Sequence, residues 1–179
     1  MKLKTSIFIL TVAIGLSGCM NKLAFIEDAV IEASKAYAKQ EYAKAAELYK
    51  KAAAQGSAEA KHVLGIMHEY GRGVKQDFHK AMEWYKGAAD QGHADSHHAL
   101  GVMHAKGKGV DRDHQKAFEH YKKAAEQGHN DAAYNVALLY ENGKGVERNK
   151  EEASKWYKKA AESGHVMSKY RLGIMSLKE

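Results

Sequence analysis

The chain has 179 residues, enough for one domain or one short repeat array, and its 45% apolar and 28% charged side chains describe a folding body rather than a disordered one. The formal charge of +6 becomes +4 once Lys2 and Lys4 are removed, and the remaining basic residues interleave with acidic ones, unlike the basic stripe with aromatics of a nucleic-acid binder. Proline is absent and Cys19 is the only cysteine, which excludes an internal disulfide framework, while the abundance of Ala, Glu, Lys and Leu points to an all-α body.

At the front, Lys2 and Lys4 precede an apolar run over 5–16. The run is shorter than the ~20 apolar residues a spanning helix needs and fits a secretory core of ~7–15. Leu16-Ser17-Gly18-Cys19 follows and resembles the lipobox of bacterial lipoproteins. That resemblance implies a lipoprotein signal peptide over 1–18, acylation of Cys19 and a lipid-anchored protein of the cell envelope. Met20 rather than aspartate after the cysteine implies the outer membrane, facing the periplasm, in a Gram-negative host. Residues 19–24 form a tether that, at ~3.3–3.6 Å per extended residue, keeps the folded body close to the membrane.

The first helix is expected over 25–39, with Phe25, Ala29, Ala33 and Ala36 on one side, and the second over 41–54, with Tyr42, Ala45, Leu48, Tyr49 and Ala52 at helical spacing. Together 25–57 make an atypical, tetratricopeptide-like pair. A glycine closes the second helix at Gly56, and Gly92, Gly128 and Gly164 hold the same place later.

From residue 58 a unit recurs every 36 residues: 58–93, 94–129 and 130–165. A period of this size marks a solenoid whose units cannot bury their apolar faces alone. In each unit a first helix, A, begins near Ala58, Ala94 or Asn130 and carries Leu64, Leu100 or Val136 as a core residue. Beside it stands a small residue, Gly65, Gly101 or Ala137, which lets the second helix, B, approach. A Gly-x-Gly-Val turn follows, with structural glycines Gly71 and Gly73, Gly107 and Gly109, Gly143 and Gly145, and with Val74, Val110 and Val146 beneath it. Asp77, Asp113 and Asn149 are N-cap types and start helix B. Helix B presents Ala81, Tyr85 and Ala88, then Ala117, Tyr121 and Ala124, then Ala153, Tyr157 and Ala160, one continuous apolar face. Residues 166–179 give one more helix A, with Leu172, Gly173, Ile174 and Met175, expected to cap the preceding helix B. The count is about nine helices.

The pattern Ala-x-x-x-Leu-Gly-x-x-His/Tyr-x-x-Gly-x-Gly-Val-x-x-Asp-x-x-x-Ala-x-x-Trp-Tyr-x-x-Ala-Ala-x-x-Gly resembles the Sel1-like repeat, a relative of the tetratricopeptide repeat with two residues added in the turn. It covers about 58–179. The chain departs from it at Val136-Ala137, at His68 and His104 where Tyr140 keeps the tyrosine, and at His120 where Trp84 and Trp156 keep the tryptophan. The resemblance implies an all-α solenoid and an adaptor or assembly role.

The eleven histidines raise the question of metal. His93 and His97 have i,i+4 spacing, but His93 falls outside the helix, and His93, His129 and His165 recur in register as scaffold positions do, so no metal site and no cofactor are expected. The Gly-x-Gly turns lack the phosphate-loop pattern and follow no strand. No nucleophile elbow, zinc-protease motif or free catalytic cysteine is present, so no catalytic residue is assigned. Met67, Met103 and Leu139 are expected in the core.

What remains is the wall made by successive A helices. The residues one turn from the Leu-Gly pair are its candidate binding face: His62, Ile66, Glu69 and Tyr70 in the first unit, His98, Val102 and Lys106 in the second, Tyr134, Leu138, Glu141 and Asn142 in the third, and Tyr170 beyond. Rings recur at 62, 98, 134 and 170, and two uses are open to them, as anchors for a partner or as packing between neighbouring A helices. The expected function is a membrane-anchored, non-catalytic scaffold or adaptor that binds another protein or peptide, as a monomer and without nucleic acid. The alternatives are an immunity protein against a secreted phospholipase toxin, and an envelope hydrolase or β-lactam binder of the cysteine-rich Sel1 type, which a lone cysteine disfavours.

Overall fold

The helical spacing is realised throughout. The computed structural model describes residues 25–177, so the expected signal peptide over 1–18, the lipidation site Cys19 and the tether 19–24 lie outside the described residues. Among the described residues there are nine α-helices and no strand. They are α1 over 25–38, α2 Tyr42–Ala54, α3 Ala58–Tyr70, α4 Phe78–Ala89, α5 Ala94–Lys106, α6 His114–Glu126, α7 Asn130–Asn142, α8 Lys150–Glu162 and α9 Val166–Ser176. None of them is long and apolar enough to cross a membrane. From α2 to α9 each helix packs against its neighbours in the chain, the arrangement of a solenoid.

Local chemistry sets the boundaries. Asp77, Asp113 and Asn149 are the N-caps of α4, α6 and α8, their side-chain oxygens accepting the backbone N–H of Lys80, Lys116 and Glu152 at 2.9–3.0 Å. Helices α3, α5 and α7 stop at Gly71, Gly107 and Gly143, all left-handed with φ of 65–69°. The second turn glycine does more. A Cβ on Gly145 would stand 2.2 Å from the backbone carbon of His114, so the turn of one repeat seats directly on the start of the preceding helix B; Gly73 on Tyr42 and Gly109 on Phe78 do the same.

The core follows the predicted faces. Ala81, Tyr85 and Ala88 and their counterparts in α6 and α8 are buried, as are Leu64, Leu100, Val136, Met67, Met103 and Leu139. The small residue beside the leucine has the expected reason: a Cβ on Gly65 or Gly101 would stand 2.5 Å from the ring of Tyr85 or Tyr121. In α9 Leu172 and Met175 pack on the cluster around Tyr157, covering α8. Phe25 departs from expectation. It is 56% exposed, because the contact between α1 and α2 runs through Ala33 and Ala36 and no helix among the described residues covers the α1 start.

Candidate partner-binding face

Three of the four recurring rings on the A helices, His62, His98 and Tyr134, pack into the junctions between repeats, and Tyr170 stays exposed. His62 lies 4.7 Å from His93, His98 stacks 4.3 Å from His129, and Tyr134 lies 4.9 Å from His165, centroid to centroid. On the other side each ring meets the helix-B tyrosine of its own repeat, Tyr85, Tyr121 or Tyr157, at 5.5–5.6 Å. The rings thus form a spine running through the stack. Polar bonds lock it: His62 Nδ1 lies 2.9 Å from Ser96 Oγ, and the Asn135 amide donates to His98 Nε2 at 3.2 Å. Burial holds the His98 imidazole well below its ordinary range, at about 4, with the charge of His129 adding to the effect.

The histidines at the far side of this spine are helix caps. Nδ1 of His93, His129 and His165 accepts the backbone N–H of Ser96, Ala132 and Ser168 at 3.2–3.3 Å. With Nδ1 accepting, the neutral ring carries its proton on Nε2, and Nε2 points at an acid on the preceding A helix. His93 meets Glu59 at 3.1 Å, His129 meets Asp95 at 3.6 Å and His165 meets Asp131 at 3.2 Å. One side chain therefore starts a helix and ties it to the helix before. The acids at 59, 95 and 131 keep the 36-residue period, which was the available signal for this link.

A second set of tethers runs past the turn. Glu69 is only 8% exposed; it accepts the Tyr85 hydroxyl at 2.9 Å and the Lys108 ammonium of the next repeat, also at 2.9 Å. Its place on an open binding face is therefore corrected: the carboxylate is an internal tether that holds a hydroxyl of its own repeat and an ammonium of the next. Glu141 repeats the pattern half-exposed, accepting from Tyr157 at 2.6 Å beside Arg171 at 3.5 Å.

Of the other predicted face residues, Ile66, Val102 and Leu138 are half-buried and pack on the junction clusters. Tyr70 is 58% and Tyr170 62% exposed, and Lys106 and Asn142 are exposed as well, with the Asn142 amide bonded to the Leu138 carbonyl. The open part of the wall is thus Tyr70, Lys106, Asn142 and Tyr170, while the rings at 62, 98 and 134 lie behind it.

Among the described residues no group of three or more His, Cys, Asp or Glu side chains is placed to share a metal ion. His97 and His120 do meet, Nδ1 to Nδ1 at 3.1 Å, and His104 stacks on His120 at 5.6 Å. A hydrogen bond between two such nitrogens takes one donor and one acceptor. Burial holds His120 at about 4, aided by His97 and His104. A groove of about 510 Å³ beside α8 and α9 is lined by charges of both signs, including Glu141, Arg148, Glu151 and Lys155.

The Sel1 repeat family profile matches residues 19–57, 58–93, 94–129 and 130–165. It therefore takes in the first helical pair, which lacks the Gly-x-Gly turn. No protein of curated function matches the chain. Among solved structures, the chain is similar to a protective antigen present in uropathogenic Escherichia coli strains displaying an SLR fold, at 35% identity and a TM-score of 0.81, over 86% of this chain and 34% of that one. It is also similar to a Sel1 repeat protein from Oxalobacter formigenes, at 31% identity and a TM-score of 0.78, over 81% of this chain and 60% of that one. Cysteine rich protein B of Helicobacter pylori shares the fold, at 23% identity and a TM-score of 0.54, over 76% of this chain and 92% of that one. The chain spans about a third and three-fifths of the first two relatives.

Proposed function

Because the chain belongs to the Sel1 repeat family, whose members generally mediate protein–protein interaction, we propose that it is a non-catalytic scaffold that binds another protein along its A-helix wall while anchored in the cell envelope. The observation that carries this reading is the use of the polar side chains. His93, His129 and His165 and the Glu69 carboxylate are consumed in links between repeats, and what faces outward is a row of aromatic and hydrogen-bonding groups, Tyr70, Lys106, Asn142 and Tyr170. Rigid aromatic rings of this kind are favoured anchors at interfaces. The anchor reading is supported by the sequence at the front, where Lys2, Lys4, the apolar run and Leu16-Ser17-Gly18-Cys19 stand in the order of a lipoprotein signal. A cysteine-rich Sel1-type enzyme builds a disulfide into each repeat; with one cysteine this chain has no means to do so.

Photo-crosslinking in the native cell tests the reading. A photoreactive residue at Tyr70 or Tyr170 should trap one dominant protein, and the same residue at Lys122 or Lys158 on the B helices should not. Equal adducts from both sides, or none, would overturn it. The anchor is tested separately: Cys19→Ser should abolish acyl labelling and move the protein from the membrane to the soluble fraction.

A further inference from the structure

In the first two Gly-x-Gly turns the central cation reaches back to the preceding repeat. Arg72 donates to the Tyr37 hydroxyl, and Lys108 donates to Glu69 Oε1 at 2.9 Å. Lys144 is the third of this series. Its turn is built the same way: the Lys144 amide donates to the Leu139 carbonyl at 3.1 Å, as the Lys108 amide does to Met103 at 3.0 Å, and Gly145 seats on His114 as Gly109 seats on Phe78. Lys108 meets a glutamate 39 positions earlier; the residue 39 positions before Lys144 is Ala105. Among the described residues the Lys144 ammonium has no hydrogen bond or ion pair, and the side chain is exposed.

Ala105 also leaves a tyrosine without its acceptor. Tyr85 and Tyr157 donate to Glu69 and Glu141 at 2.9 and 2.6 Å. Tyr121, their counterpart and only 5% exposed, has no partner for its hydroxyl among the described residues. That oxygen is not among the side-chain polar atoms sealed from solvent, so an outside group can reach it. Burial alone raises the Tyr121 phenol, whereas at Tyr85 the Glu69 carboxylate adds to burial. The middle junction therefore keeps both donors, a buried hydroxyl and a free ammonium, and lacks the carboxylate that the repeat before it supplies from its own helix.

We infer that the notch over Ala105, between Tyr121 and Lys144, receives a glutamate side chain of the bound protein. The occupant is set by charge and size. In the repeat before, the corresponding hydroxyl and ammonium, Tyr85 and Lys108, converge on one carboxylate; such a pair of donors selects an anion over a neutral amide, and the first and third repeats fill the same position with a glutamate, Glu69 and Glu141. The Tyr121 hydroxyl is reachable and bonded to no protein group, so an incoming carboxylate can take it as a donor without breaking an internal bond, which makes this junction a point of specificity on an otherwise self-satisfied wall.

The inference rests on the protein-binding reading and is tested apart from it. The probe is a triglutamate peptide, acetylated and amidated at its ends, titrated into the mature chain and followed by amide and tyrosine NMR shifts. Saturable shifts are expected around Ala105, Tyr121 and Lys144, with triglutamine giving none. Lys144→Ala should weaken binding about tenfold or more, as loss of a charged hydrogen bond does, and Tyr121→Phe should weaken it while preserving the fold. Ala105→Glu should supply the carboxylate internally, abolish the shifts and raise Tm by about 2–4 °C. Shifts spread evenly over the lysines, shifts unchanged in Ala105→Glu or Lys144→Ala, or binding only by a peptide with a free C-terminal carboxylate would each overturn the assignment. If the photo-crosslinked partner from Tyr70 persists undiminished in Ala105→Glu, the notch is wrong and the scaffold stands.

Discussion

Single residues in this chain are decided by how close the neighbouring backbone comes. Gly145 and Gly164 both have positive φ, 72° and 92°, but nothing lies within 4 Å of a Cβ on Gly164 while the His114 backbone lies 2.2 Å from one on Gly145. Gly164→Ala should therefore cost roughly 1–2 kcal/mol, the conformational cost alone, and Gly145→Ala distinctly more, because backbone cannot swing away. Urea unfolding of the two variants checks the order. Histidine titration is decided at the same scale. His98 and His120 are held at about 4 by burial, against an unfolded value near 6.5, so between those values the unfolded chain binds more protons than the folded one. Their contribution to stability is complete above 6.5 and is lost as pH falls toward 4. Melting temperature measured from pH 7.5 to 4.5 should decline through that window, and His120→Phe should flatten the decline. A stability that is level or rising on acidification would contradict the buried neutral assignment.

Individual helices are positioned by caps that also act as ties. Replacing the α7 cap, His129→Ala, should cost about 1 kcal/mol as lost N-caps do, and His129→Asn should recover most of it, since an amide oxygen accepts the same N–H. What asparagine does not restore is the reach to Asp95. The exposed end of that pair makes its share small, so the cap dominates. Within α5, Leu100 is buried and should cost roughly 2–5 kcal/mol on truncation to alanine; a neutral Leu100→Ala would mean the helix presents another face.

At the scale of the whole molecule the sequence carried the architecture in full, because each cause of it is local and repeated. The 36-residue period, the N-cap residues Asp77, Asp113 and Asn149, and the glycines after α3, α5 and α7 all read directly as helix boundaries. Which side chains face a partner was less legible. Helix periodicity places His62, His98 and Tyr134 on the A-helix wall but says nothing of the next repeat, whose cap histidines cover them. Glu69 read as a surface acid because its partners, Tyr85 and Lys108, come from a different helix and a different repeat. Conversely, the departure that matters most, Ala105, gives no signal at all until its junction is compared with the two that hold a glutamate.

Hydrogen exchange on the chain, alone and with its crosslinked partner, separates a partner seated on the A-helix wall from one held elsewhere. Added protection is expected in the A helices α3, α5, α7 and α9 and in the turns beside them, with the B helices α4, α6 and α8 unchanged. Protection confined to the B helices, or none on adding the partner, would contradict it.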